Sequence, residues 1–343
     1  MVVLPQEDGV RIVAENRNKQ FRFAGGASFR LVLIVATILG VVAGIFVGLN
    51  GISGGRGMRM RHSFHVVVYT SQDQVYSKEI LDAFTKETGI EVRAVYDSEA
   101  VKTVGLANRL LAEREHPQCD VWWSNEELRT RQLEAAGVFS SEIEWRSFGY
   151  RSRKLVVNTN LLSVADAPTS LSELSDAKWR GKVAMAYPMF GTTATHMLAL
   201  RQLWGVEKWR AWSREVQAND TLIVDGNSVV VRLVGKGEVA MGLTDSDDIA
   251  AGQREGMPIA AIEIDETLFI PNTVAIVRGS RNISGARRLL EYLSSTATVG
   301  RLVAVNALEG ANADSQDASF PDWGGVLGDL NEGTAELSRV FLR

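Results

Sequence analysis

One unit recurs along this chain: a short apolar run, a turn of small polar residues, then a stretch with helical spacing. Val239 to Leu243 is apolar, Thr244-Asp245-Ser246-Asp247-Asp248 follows, and Ile249 to Glu255 reads as helix. His65 to Tyr69 leads through Thr70-Ser71-Gln72 to Tyr76, Ile80, Leu81 and Phe84 at helical spacing, stopped by Gly89. Asp120 to Trp123 leads to Ser124-Asn125-Glu126 and a helix over 127–136. Lys182 to Ala186 runs toward Gly191-Thr192-Thr193 and a helix to Trp204, and Ile223-Val224 toward Gly226-Asn227-Ser228 and a helix to Lys236. Further strands are expected at Ile90–Tyr96, Leu155–Thr159, Ala260–Ile264 and Asn272–Val277, with helices over 103–115, 284–295 and 332–343. This alternation predicts an α/β fold with a mainly parallel sheet covered by helices.

In such sheets ligands lodge beyond the C-terminal strand ends. The five polar turns are therefore expected to face a common cleft. Any one of them reads as a helix cap. Together they offer hydroxyls, amides and helix N-termini, which suit an anion. The crowded Asp245, Asp247 and Asp248 repel one another unless a cation or several donors lie among them. Trp122-Trp123 at a strand end fits either core packing or the wall of a ligand site. His196 fits packing better than acid–base work.

Charge excludes several classes. Residues 1–62 hold eight Lys/Arg against three Asp/Glu, so the remainder of a chain with net charge −4 is acidic. Nucleic acid would need a basic face. A single cysteine, Cys119, excludes an internal disulfide and a cysteine-based zinc site. The four histidines lack metal-type pairing, and no nucleophile–base order or phosphate-loop motif appears.

Residues 31–49 are uncharged and mostly apolar, a helix of about 28 Å, close to one hydrocarbon core. That length favours an anchor over a cleaved signal segment. The expected layout is a cytoplasmic tail at 1–30, an anchor at 31–50 and a Gly/Arg-rich linker at 51–64.

Three segments carry a family resemblance: Val68-Tyr69-Thr70-Ser71-Gln72, then Phe84 to Val92, then Cys119-Asp120-Val121-Trp122-Trp123-Ser124. Gly181-Lys182-Val183-Ala184, Gly226-Asn227-Ser228-Val229 and Lys236-Gly237-Glu238-Val239-Ala240 continue it. Over residues 65–305 the chain resembles the extracellular solute-binding proteins of ABC importers, in the ferric-iron-binding and phosphonate-binding branch. The resemblance implies a two-lobed, type II periplasmic-binding-protein fold, closing on a ligand about two hinge strands. Lobe 1 would take 65–157, completed by 272–308, and lobe 2 would take 158–271, leaving 309–343 as a C-terminal segment. The crossings would fall near Leu155–Asn158 and Asn272–Ile276.

The resemblance also sets expectations for the site. Asp247-Asp248 stands where ferric-binding members carry a ligating Tyr-Tyr pair, Asp73 near a ligating His, and Asn125 at a ligating Glu. Gly191-Thr192 matches a phosphate-cradling turn and Asn227 a phosphate-binding Asn. Thr192, Thr193 and Ser71 would hold a phosphate or phosphonate, with Asn227 assisting and Gln72 and Asn125 nearby. Asp245, Asp247 and Asp248 would hold an ammonium, sugar hydroxyls or a metal. The expected function is capture of a phosphorylated or phosphonate solute for an ABC permease, with no cofactor and no covalent chemistry. Ferric iron held by Asp247 and Asp248 is the alternative. A membrane-anchored sensor comes next, and a hydrolase last.

Overall fold

The structure, a computed structural model, describes residues 65–97, 103–311 and 321–342. The expected tail, anchor and linker at 1–30, 31–50 and 51–64 lie outside them. Among the described residues no helix is long and apolar enough to cross a membrane.

The first lobe opens with β1 (Val66–Thr70), α1 (Gln74–Thr88), β2 (Val92–Tyr96), α2 (Val104–Ala112), β3 (Val121–Ser124) and α3 (Leu128–Ala135). The chain leaves it along β4 (Arg146–Asn158). The second lobe holds β5 (Val183–Ala186), α4 (Gly191–Trp204), α5 (Val206–Ala218), β6 (Leu222–Val224), α6 (Asn227–Lys236), β7 (Met241–Asp245), α7 (Ser246–Arg254) and β8 (Ile259–Ile262). β9 (Phe269–Ile276) returns to the first lobe, followed by α8 (Ile283–Leu293) and α9 (Thr296–Ala304). A last helix, α10 (Trp323–Phe341), packs on α4, α5 and α3.

The strand order is β2-β1-β3-β9-β4-β7-β5-β6, with β8 also on β4. Within each lobe the first strands pair in parallel, β1 with β2 and β3, and β5 with β6 and β7. Every pairing made by β4 or β9 is antiparallel, so the sheet is mixed where mainly parallel pairing was expected. The antiparallel share comes from the two strands that join the lobes. β4 pairs with β9 up to Ser152 and with β7 from Arg153. The lobe crossing therefore lies just before the expected Leu155–Asn158.

Apolar side chains fill both faces of each half-sheet. Val68, Phe84, Trp123 and Leu289 cover one face of the first half, and Leu110, Trp122 and Leu133 the other. Leu155, Met197, Trp209 and Leu243 cover one face of the second, and Val156, Val230 and Ile249 the other. Trp122 and Trp123 are thus core residues, and the indole of Trp122 donates to Thr130 Oγ1 at 2.8 Å. Between the lobes, Leu128, Leu198, Ile270, Val326 and Leu330 form a separate apolar knot.

Two glycines are required by geometry. Gly149 sits in a β-bulge of β4 at φ 56°, where a Cβ would come within 2.4 Å of Leu308. At Gly242 a Cβ would lie 2.3 Å from Val230 and 3.0 Å from the Ala184 carbonyl, so α6 seats directly on the sheet.

Candidate functional site

Four of the five polar turns line one cleft of about 420 Å³, including its open mouth, and the Thr70-Ser71-Gln72 turn reaches it only through the adjoining Asp73. Asp73 and Asn125 enter from the first lobe. Tyr187, Phe190, Gly191, Thr192, Thr193, Asp225, Gly226, Asn227, Asp245 and Asp248 enter from the second, and Arg151 rises from the hinge strand. Two helices, α4 and α6, begin at this cleft. Their N-cap residues, Phe190 and Gly226, provide no capping side chain. The first-turn amides of both helices therefore point at the cleft without the usual side-chain acceptor.

Seven of the ten expected site residues line this space: Asn125, Gly191, Thr192, Thr193, Asn227, Asp245 and Asp248. Ser71 stands behind Asn125, donating to its side-chain oxygen at 2.9 Å and accepting from its backbone amide at 3.0 Å. Gln72 is buried, its side-chain amide nitrogen without a partner. Asp247 does not line this cleft; it lines a separate cavity with Lys154, Ser246 and Glu309 while its Oδ2 accepts from the cleft-lining Arg151. At the start of α7, successive residues point about 100° apart around the helix, so Asp247 and Asp248 line different cavities, although an oxygen of each stays within 4.8 Å of the other.

Sequence reasoning missed the two residues that organise these carboxylates. Arg151 Nη1 donates to Asp247 Oδ2 at 3.0 Å, and Arg153 Nη1 to Asp245 Oδ1 at 2.7 Å. Both guanidiniums are essentially fully buried. The signal available was a Tyr-Arg-Ser-Arg-Lys run directly before the apolar Leu155-Val156-Val157. Two arginines at alternate positions leading into a buried strand must themselves enter the interior from one face.

Asp245 is held at every side. Besides Arg153, it accepts from Thr192 Oγ1 at 2.6 Å and from Asn227 Nδ2 at 3.0 Å. The Thr192 and Asn227 side chains, expected to meet a ligand anion, thus serve a carboxylate of the protein itself. Burial pushes the Asp245 pKa up, but Arg153, Arg151 and the Thr192 hydroxyl outweigh it, and the net shift is downward. Asp247 moves the other way. Burial raises its pKa, Arg151 offsets part of this, and repulsion from Asp245 and Asp73 adds to the rise. Arg151 itself loses basicity to burial but gains more from Asp247, Asp245 and Asp73. His196 is buried beneath this network. Its Nε2 donates to the Glu266 carbonyl at 2.8 Å, and burial with Arg153 nearby lowers its pKa to about 3, so it stays neutral.

The site can therefore present two opposite characters. Backbone amides of α4 and α6, with Thr193, suit an anionic group. Asp225, Asp248 and Asp73 suit a cationic one. Oxygens of Asp245, Asp247 and Asp248 also approach within 4.8 Å of one another, a spacing that a hard metal ion can bridge.

Comparison with known proteins agrees with this architecture. The family described as "Bacterial extracellular solute-binding protein" matches residues 64–303. An Fe(3+)-binding periplasmic protein of Serratia marcescens is 30% identical over 196 residues, covering 52% of this chain and 56% of its own length. A Salmonella typhimurium periplasmic protein named for binding 2-aminoethylphosphonate is 25% identical over 241 residues, covering 62% of this chain and 67% of its own. The fold superposes on iron-bound HitA from Pseudomonas aeruginosa with a TM-score of 0.70 at 21% identity, over 81% of this chain and 99% of that one. With the matched region spanning both lobes and both hinge strands, the chain belongs to the bacterial extracellular solute-binding proteins.

Proposed function

We propose that this protein is the solute-binding component of an ABC importer. Its cleft takes a small solute with a phosphonate or phosphate at one end and an ammonium group at the other. One observation carries the reading: two uncapped helix N-termini open onto the same cleft as Asp225, Asp248 and Asp73. The amides of α4 and α6 and the Thr193 hydroxyl take the anion, and the carboxylates take the ammonium. Thr192 and Asn227 act by fixing Asp245. Capture is an equilibrium between the lobes and involves no covalent step. The relatives named as periplasmic fit an extracytoplasmic location, with residues 31–50 as the membrane anchor and an ABC permease as the partner.

The carboxylate spacing supports a second reading, in which Asp245, Asp247 and Asp248 hold ferric iron, the ion for which the Serratia marcescens relative is named. Physical chemistry ranks it below the first. Two of those three carboxylates are already paired with buried guanidiniums, which a metal would have to displace or face at close range.

Isothermal titration separates the two readings. 2-Aminoethylphosphonate is expected to bind with a dissociation constant of about micromolar or tighter, a range usual for a well-formed site. Inorganic phosphate and ethylamine, each half of that ligand, should bind at least about tenfold more weakly. Asp248→Asn and Thr193→Val should each weaken the whole ligand. Tight ferric binding with no response to 2-aminoethylphosphonate would establish the iron reading in its place.

A further inference from the structure

We infer that Arg151 and Arg153 determine the specificity of this cleft by excluding multivalent metal ions, which restricts its cationic partner to a singly charged group. The inference rests on the reading above and names the residues that decide it. Three carboxylates, Asp245, Asp247 and Asp248, stand close enough to cage a metal. Two of them already hold a guanidinium, at 2.7 and 3.0 Å. Arginine cannot lose its proton to make room, so a bound metal would coexist with both charges or expel them.

Expulsion is blocked by the fold. Both arginines stand at alternate positions of β4, where the strand passes from one lobe to the other. Arg151 is further fastened by donating from Nη2 to the Asn125 carbonyl at 2.5 Å, and Arg153 by donating from Nη1 to Asn227 Oδ1 at 3.2 Å. Swinging either side chain out would strip these contacts and bury its carboxylate alone. Coexistence is also unfavourable. The two guanidiniums cancel two of the three carboxylate charges, so a trivalent ion would be offered about one net negative charge in return for giving up its hydration. An ammonium has one charge and directional N–H donors, and it can take carboxylate lone pairs that the arginines leave open. Asp248 is only partly buried and faces the cleft, which makes it the accessible member of the cluster.

The test uses the full chain, terbium as a hard trivalent probe that avoids ferric hydrolysis, and 2-aminoethylphosphonate as the organic probe. Wild type should show no terbium binding below millimolar concentration. Arg153→Met and Arg151→Met should each gain terbium affinity by at least about 100-fold, because one buried unit charge beside the ion is removed. Arg153→Lys, which keeps the charge, should behave as wild type. If a methionine variant does not fold alone, its thermal transition with excess terbium reads the same property: a transition restored by the ion supports the inference, and none counts against it. Tight terbium binding by wild type, or no gain in either folded methionine variant, would overturn it. Failure of 2-aminoethylphosphonate to bind wild type, alongside a terbium gain in the variants, would remove the phosphonate reading and leave the exclusion of metals standing.

Discussion

Glu126 lies one residue beyond the cleft-lining Asn125, fully buried where the lobes meet. It accepts from the Arg129 amide at 3.1 Å and from Thr195 Oγ1, in the opposite lobe, at 3.2 Å. Burial raises its pKa from 4.5 to about 7, against the pull of Arg129 and the hydrogen bonds. The folded state therefore binds this proton more tightly than the unfolded chain does. The stability that comes from this is full below about pH 4.5 and is lost as pH rises through about 7, a change of about 3 kcal/mol at most. Glu126→Gln should remove that slope, raising stability at pH 8 relative to wild type while changing little at pH 5. Urea midpoints at the two pH values measure it, and equal slopes in the two proteins would refute it. Asp245→Asn acts in the opposite sense, since it leaves the Arg153 guanidinium buried without its charge partner. A loss of about 3–5 kcal/mol in urea unfolding at pH 7 is expected. At this scale the sequence was partly legible. Polar turn residues such as Thr192, Asn227 and Asp245 announced themselves by type and by position at strand ends. Arg151 and Arg153 did not, because one strand's letters do not reveal which carboxylates another strand will bring opposite them.

Elements were read where one periodicity ruled them. β1, β3, β5 and β9 are short apolar runs, and α1 ends at Gly89 in the left-handed conformation that its residue type implies. β4 was read only over its last residues. Its first nine, Arg146 to Lys154, look like a polar loop, yet they are buried from Phe148 onward because strands from both lobes flank them. The last helix likewise begins at Trp323, ahead of the expected residue 332, capped by Asp322, whose carboxylate oxygen accepts from the Gly324 amide at 3.1 Å. Its glycines lower helix propensity, and contacts with α4 and α5 override that. The tight seat of α6 on the sheet gives a prediction at this scale. Gly242→Ala places a methyl against Val230 and the Ala184 carbonyl, and the carbonyl cannot rotate away. It should cost about 1–3 kcal/mol in chemical unfolding and weaken ligand binding, since α6 presents Asn227. A neutral substitution would mean that α6 shifts freely.

Two lobes in one chain make ligand capture a question of how they meet. The alternation of strands and helices conveyed two α/β lobes. It could not convey which side chains touch across the gap, because those contacts join residues far apart in the chain. Besides the hinge strands, α7 of the second lobe reaches the first through Arg254. It donates to Tyr76 Oη of α1 at 2.9 Å and to the Val305 carbonyl, just beyond α9, at 3.2 Å. Burial raises the Tyr76 pKa, Asp247 adds to the rise, and Arg254 opposes it, so the phenol remains a neutral partner through the physiological range. These contacts exist only while the lobes are together, so they bias the closed arrangement in which the cleft is complete. Removing them should lower the closed population and raise the apparent dissociation constant by the same factor. Both groups are partly exposed, so each hydrogen bond contributes about 0.5–1.5 kcal/mol. Arg254→Ala, which removes both bonds, should therefore weaken 2-aminoethylphosphonate binding by roughly 5- to 150-fold, mostly through faster release, and Tyr76→Phe by less. Stopped-flow tryptophan fluorescence would resolve the release rate, and small-angle scattering the size of the free protein. If release were unchanged while association slowed, Arg254 would be guiding the ligand in and not holding the lobes shut.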